Sequence, residues 1–242
     1  MKSRNLLSML RITIICCVLV CSIPQIIQGD NWVEKRKRMV ERDLAARDIV
    51  DQTVLKAMGQ IPRQIFIPEK SRDYAYEDRP LPIGFGQTIS QPYIVALMSQ
   101  LLSIQPGMKV LEVGTGSGYQ AAVLHAMKAE VFSVEIIAPL GKRTQALYRK
   151  TGLPIRVKIA DGYFGWQAQA PFDRIIITAA ANHIPRPLLN QLKAGGQLIL
   201  PLGSTRFHQT LTLITVDRQG KTSVSYHGGV WFVPMTGRML KN

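Results

Sequence analysis

Lys109-Val-Leu-Glu-Val-Gly-Thr-Gly-Ser-Gly118 opens with apolar Val110, Leu111 and Val113, carries one acid, Glu112, and breaks into three alternating glycines. A helix-like segment, Tyr119-Gln-Ala-Ala-Val-Leu-His-Ala-Met127, follows, and then a second apolar run, Val131-Phe-Ser-Val134, closed by Glu135. This order is the strand, glycine loop, helix and second strand of a doubly wound α/β unit. In such a unit the loop backbone approaches a ligand and the acid ending the second strand meets a ribose.

The glycine spacing narrows the ligand. A dinucleotide loop reads G-x-G-x-x-G and presents its N–H groups to a pyrophosphate. Here the spacing is G-x-G-x-G, with Tyr119 where the third dinucleotide glycine would fall. Glu112, two residues before the first glycine, would repel a phosphate and attract an ammonium or sulfonium. The pattern suits S-adenosylmethionine, with Gly114, Thr115, Gly116 and Gly118 forming its loop and Glu135 accepting from the ribose hydroxyls.

Outward from this unit, a helix near Leu140–Lys150 leads to a strand at Ile155–Ile159 that ends in Asp161-Gly162. An acid there can accept from an adenine amino group, and the glycine permits close backbone approach. Residues 172–180 read as a fourth strand, Pro187–Leu192 as a short helix and Gln197–Leu202 as a fifth strand. Thr210–Val216 and Ser223–Val230 alternate as a closing antiparallel pair around Arg218-Gln-Gly220. The fold class expected is α/β: a doubly wound, mostly parallel sheet with helices on both faces.

Toward the N-terminus, residues 61–92 are rich in proline, glycine and aromatics and show no period, so they read as one long loop. It closes with Gln87-Thr-Ile-Ser-Gln-Pro92 ahead of a helix at Tyr93–Leu102. Ser90 and Gln91 there are either cap residues or ligand contacts. Residues 31–60 read as helix, with Asp51 as a cap within it. Lys35-Arg-Lys-Arg38 is more in keeping with a solvated helix face than a nucleic-acid site.

Residues 1–29 form a hydrophobic leader: Lys2, Arg4 and Arg11, then an apolar run from Ile12 to Ile23. The run is short for a membrane span and near the length of a signal-peptide core. Ile27-Gln28-Gly29 is a poor cleavage site, and Val20 before Cys21 is unsuited to lipid attachment. Export signal and short membrane tether through residues 12–27 both stay open. The expected organisation is this leader plus a single domain, 30–242. Cys16, Cys17 and Cys21 all lie in the leader, so the body has no disulfide, no thiolate metal ligand and no cysteine nucleophile.

The composition of 30 basic and 16 acidic residues, net +14, favours anionic partners without choosing among them. His125, His183, His208 and His227 are scattered without metal-ligand spacing, so no metal is expected.

Taken together, these motifs resemble the protein-L-isoaspartate O-methyltransferases over about residues 35–236. Leu81-Pro-Ile-Gly, Gln87-Thr-Ile-Ser-Gln-Pro92, Val110–Tyr119, Asp161-Gly162, Phe172–Ala180, Gly196–Gly203 and Val230-Trp-Phe-Val-Pro-Met235 carry the resemblance. It implies a Rossmann-like methyltransferase fold and methyl transfer from S-adenosylmethionine to the α-carboxylate of L-isoaspartyl residues in damaged proteins, which then close to a succinimide. It makes Ser90 and Thr88 acceptor-binding residues of the active site and places Gln87 beside the cofactor. Trp231–Pro234 would shape a peptide groove or simply pack on the core. A nucleic-acid N-methyltransferase would carry an Asn/Asp-Pro-Pro-aromatic motif after the fourth strand, where Thr178-Ala-Ala-Ala181 stands, and no nucleic-acid partner is expected. Another acceptor, such as RNA or a small molecule, or a non-catalytic binding module are the remaining alternatives. A monomer is expected, with its catalytic domain in the cytoplasm; the leader alone would favour the periplasm.

Overall fold

The computed structural model describes residues 28–204 and 206–241. The leader therefore lies outside the described residues except for its last two, which begin the first helix. Among the described residues no helix is long and apolar enough to cross a membrane.

α1 (Gln28–Arg38) passes into a π-helical turn (Met39–Ala45), and α2 (Gln52–Gln60) follows. The single helix expected over 31–60 is thus two. The break is imposed from outside: the Gln100 side chain accepts from the N–H groups of Val50 and Asp51 and donates to Asp48 O. Asp51 then caps α2, accepting from the N–H groups of Thr53 and Val54. The four cations of α1 are absorbed locally. Lys35 lies over Trp32, Arg36 donates to Gly59 O, Lys37 pairs with Glu41 and Arg38 with Glu34.

Residues 61–92 are more ordered than their composition suggests. Two 3-10 turns (Arg63–Phe66, Glu69–Tyr74) precede a hairpin of β1 (Leu81–Gly84) and β2 (Gln87–Ile89). α3 (Pro92–Leu101) follows, with proline at its first turn. Neither Ser90 nor Gln91 caps it. Asp78 does, its Oδ1 accepting from Tyr93 N–H at 2.9 Å and its Oδ2 from the Gln91 side chain at 2.8 Å.

The central unit is β3 (Lys109–Val113), α4 (Tyr119–Ala126), β4 (Glu130–Glu135), α5 (Ala138–Thr151) and β5 (Arg156–Ile159). The chain then crosses to the other side of β3 for β6 (Phe172–Ile177), α6 (Arg186–Leu189) and β7 (Leu192–Leu202). β8 (Gln209–Val216) and β9 (Thr222–Val230) complete a seven-stranded sheet ordered β5-β4-β3-β6-β7-β8-β9. The first five strands in that order are parallel, and β7, β8 and β9 form an antiparallel meander. The strand order reverses between β3 and β6, and ligands of open α/β sheets sit at the carboxyl ends of strands at such a point.

The sheet is buried on both faces. Val110, Val131 and Ile176 pack with Val123 and Leu124 of α4, while Leu111, Phe132, Ile175 and Ile177 pack on the opposite side with Leu188. That is why Ile175-Ile-Ile177 is uniformly apolar where a half-solvated strand would alternate.

Candidate active site

The strand tops of β3, β4 and β6 open into a cleft. Its floor is the glycine loop, with Glu112, Gly114, Thr115 and Gly116; Glu135 and Thr178 end the flanking strands; Gln87, Thr88 and Ser90 come from the hairpin, and Val233–Thr236 close another side. Nine of the residues expected at the site therefore meet here, Gly162 among them. Gly118 and Asp161 stand outside the cleft wall.

Each of those two has a structural task. A Cβ on Gly118 would lie 2.5 Å from Tyr148 Oη, so this glycine lets α5 pack against the loop. Asp161 accepts from Tyr163 N–H through Oδ1 and from Arg238 N–H through Oδ2, tying the turn after β5 to the C-terminal turn.

The loop is held by hydroxyls. Thr178 donates to Gly114 O at 2.6 Å, Thr144 to Gly116 O at 2.8 Å and Tyr148 to Gly118 O at 2.8 Å. All three glycines have positive φ. Glu135 accepts from Gly116 N–H (2.8 Å) and Ile137 N–H (2.9 Å), which fixes the acid at the end of β4 against the same loop. None of the three hydroxyls is part of the glycine motif, and the sequence offers no local signal for them.

Glu112 is fully buried. Directly across the ladder on β4, Ser133 donates to its Oε2 and lies 2.5 Å from Thr115 Oγ1. Its Oε1 has no hydrogen-bond partner. Burial, opposed by the Ser133 hydrogen bond and more weakly by the nearby Ala121 N–H, and reinforced by the charge of Glu135, pushes the carboxyl up from 4.5 to about 8. A buried carboxylate oxygen without a partner at the edge of a cleft fits a cationic ligand. Among the residues lining the cleft there are two carboxylates and no lysine, arginine or histidine, in a chain of net charge +14.

The hairpin wall is held from a distance. Arg63, fully buried, donates from Nε to Ala75 O (2.8 Å) and from Nη2 to Ser90 O (2.6 Å). Its guanidinium lies 4.8 Å from the ring centroid of Tyr119, the residue that follows the last glycine. Burial lowers the Arg63 pKa to about 10 and raises that of Tyr119 to about 12, so the pair stays a cation over a neutral phenol at neutral pH. Arg143 of α5 donates to Ile83 O at 2.8 Å and fastens β1. No motif or spacing in the sequence marks Arg63, Asp78 or Arg143 as belonging to the site.

No histidine lines the cleft, and among the described residues no cluster of ligating side chains could hold a metal ion.

Known proteins of one family resemble this chain in sequence and in fold. The sequence profile described as Protein-L-isoaspartate(D-aspartate) O-methyltransferase matches residues 34–240. A protein-L-isoaspartate O-methyltransferase 2 of Shewanella sediminis is 50% identical over 216 residues, covering 88% of each chain. One of Cupriavidus necator, named protein-L-isoaspartate O-methyltransferase 1, is 43% identical over 235 residues, 93% of this chain and 90% of its own. Among solved structures, a protein-L-isoaspartate O-methyltransferase superposes with a TM-score of 0.77 at 28% identity, covering 84% of this chain and 67% of its own. A Plasmodium falciparum protein described as a putative protein-L-isoaspartate O-methyltransferase, solved with S-adenosyl-L-homocysteine, gives 0.72 at 26% identity over 83% of this chain and 98% of its own. With a profile spanning the whole folded body and relatives up to half identical along nearly their full length, the chain belongs to the protein-L-isoaspartate(D-aspartate) O-methyltransferase family.

Proposed function

We propose that the glycine-loop wall of the cleft seats S-adenosylmethionine and the hairpin wall seats an isoaspartyl carboxylate, so that the chain methylates L-isoaspartyl residues of damaged proteins and starts their repair through a succinimide. The observation that carries this reading is the charge of the cleft. The Glu135 carboxylate and the buried carboxyl of Glu112, whose Oε1 is partnerless and which a bound cation would ionise, in a wall without a cation favour a sulfonium or ammonium over a phosphate.

When bound, S-adenosylmethionine supplies a methyl group already activated by its sulfonium. Glu112 meets the cationic part of the cofactor, and Glu135, fixed by the Gly116 and Ile137 N–H groups, keeps lone pairs for the ribose hydroxyls. Thr115 and Gln87 complete that wall, and Gly162 allows close approach. Asp161, which also holds the turn that carries Gly162, accepts from the adenine amino group. An α-carboxylate with a free pKa of ~3.5 is already deprotonated at neutral pH. No general base is needed, in keeping with a cleft that contains no histidine. What remains is to align the acceptor and exclude water. Thr88 and Ser90 orient the carboxylate, and the 81–92 segment covers the cleft.

The organisation that goes with this reading is a leader, 1–29, and one catalytic domain, 30–242, acting as a monomer in the cytoplasm, where S-adenosylmethionine is made. Fractionation of the full chain checks this, since a processed periplasmic product would refute it.

The activity is tested with methyl-labelled S-adenosylmethionine and two peptides differing only in one isoaspartyl or aspartyl linkage. Base-labile label on the isoaspartyl peptide alone is expected. Cofactor binding with neither peptide labelled would mean that the fold serves another acceptor.

A further inference from the structure

The hairpin turn is built against its own preference. Gly84 pairs with Gln87, leaving Phe85-Gly86 as a two-residue connection with φ of 55° and 68°. Turns with both central residues left-handed favour asparagine, aspartate or glycine at the first of them. A bulky side chain held there is disfavoured by ~1–2 kcal/mol. Such an outlier is retained when something else favours the side chain. Packing within the chain does not supply that benefit, because Phe85 is 56% exposed. The ring faces solvent two residues ahead of Gln87, where the strand enters the cleft wall.

A second bordering segment has the same arrangement. Trp231 is 73% exposed and stands two residues ahead of Val233, which begins the Val233–Thr236 side of the cleft. Two solvent-facing aromatics thus lead into two of the segments that form the cleft. Resting on the reading of the cleft as an isoaspartyl site, we propose that Phe85 is an anchor for the acceptor polypeptide, gripping residues that flank the isoaspartyl linkage, beside the Trp231 contact that the family resemblance already implies. Aromatic faces supply large contact area without demanding a particular partner. That suits an enzyme whose acceptors share a damaged linkage and no common sequence.

Phe85→Asn and Phe85→Gly each remove the ring and relieve the backbone. The test measures melting temperature, S-adenosylmethionine affinity by titration, and KM for two acceptors: an isoaspartyl hexapeptide and the minimal acetyl-isoaspartyl methylamide. Both variants are expected to melt at or above the temperature of the parent. Hexapeptide KM rises about fivefold, while the minimal acceptor and the cofactor change by less than about twofold. Unchanged hexapeptide KM overturns the proposal. So does an equal loss on the minimal acceptor, which would make Phe85 a shaper of the hairpin, or a lower melting temperature, which would make it a packing residue. A parent enzyme that methylates neither acceptor overturns the isoaspartyl reading and the anchor together, whereas a neutral Phe85 variant of an active parent removes the anchor alone.

Discussion

The two walls of the cleft are fixed in opposite ways. The glycine-loop wall has its turns set by its own glycines, and hydroxyls 28 to 64 residues away, from α5 and the end of β6, take each of their carbonyls in turn. The hairpin wall is a three-residue strand and a turn, with Thr88 exposed. It is positioned by Arg63, Asp78 and Arg143, which reach it from 13 to 60 residues away. One wall is built to be immobile around a ligand of constant shape. The other is packed from behind through Leu81, Ile83 and Ile89 and leaves Thr88 exposed, which keeps its surface free to meet varied acceptors.

The sharpest break in this contrast comes from adding one methyl group to each wall. Gly118→Ala must adopt a φ of +88° and place Cβ 2.5 Å from the hydroxyl of Tyr148 and 2.6 Å from Thr144 Cγ2, both side chains being buried. Strain and overpacking together predict a loss of ~2–5 kcal/mol in denaturant unfolding and at least about a tenfold loss of cofactor affinity. Gly86→Ala in the hairpin turn also has positive φ but meets nothing within 4 Å. It should lose only ~1 kcal/mol, with cofactor affinity unchanged. Equal effects at the two positions would mean that the walls do not differ in rigidity.

Next in size are the acceptor-side changes. Ser90→Ala is expected to lower turnover ~10–100-fold with cofactor affinity kept. Arg63→Met should lower it about tenfold by releasing the Ser90 carbonyl, without a large fall in melting temperature, because a buried cation with one partnerless nitrogen is replaced by an apolar chain of similar length. In the Ser90→Ala background the Arg63 change should add less than about twofold, since both act at one point. Additive losses would show that Arg63 works elsewhere; a joint fall in melting temperature and cofactor affinity would make it part of the core.

Glu112 gives the cofactor wall a pH signature that the hairpin wall lacks. Its carboxyl is raised from 4.5 to about 8, so between those values the folded protein holds a proton that the unfolded chain has released. Its contribution to stability therefore falls as pH rises through that window. A cationic ligand favours the carboxylate, so cofactor affinity should rise with pH, by up to about tenfold per unit below pH 8, and level off above it. Glu112→Gln should flatten the profile, and a parent profile already flat from pH 6 to 8 would exclude this linkage. Acceptor KM has no such group and should not follow the same curve.

The same contrast decides what the sequence discloses. The β3–loop–α4–β4 unit was legible because its signals, glycines at fixed spacing and acids at strand ends, lie within 27 residues of chain. Ser90 and Thr88 emerged only through resemblance, since a serine before a proline at a helix start is as much a cap as a ligand contact. The true cap is Asp78, thirteen residues before Gln91. Arg63 and Gln100 have no periodic or motif signature; each acts through side-chain bonds to backbone that is adjacent only after folding. The leader shows the same limit in another form, because an apolar run specifies insertion or export without specifying which.

The smallest effects should come from the three hydroxyls behind the loop. Tyr148→Phe removes one oxygen from a fully buried ring and leaves the Gly118 carbonyl without its donor; Thr144→Val does the same at Gly116 with little change of shape. A neutral hydrogen bond of this kind contributes ~1 kcal/mol, so each variant should weaken cofactor binding about fivefold. Acceptor KM should stay the same, because these hydroxyls bond the glycine loop and not the hairpin. The double variant sharpens the comparison further. If the loop moves as one rigid body, the two losses will be less than additive, since the first release already loosens what the second would release. Strict additivity would instead mean that each glycine is held independently, and that the rigidity of this wall is a sum of separate restraints.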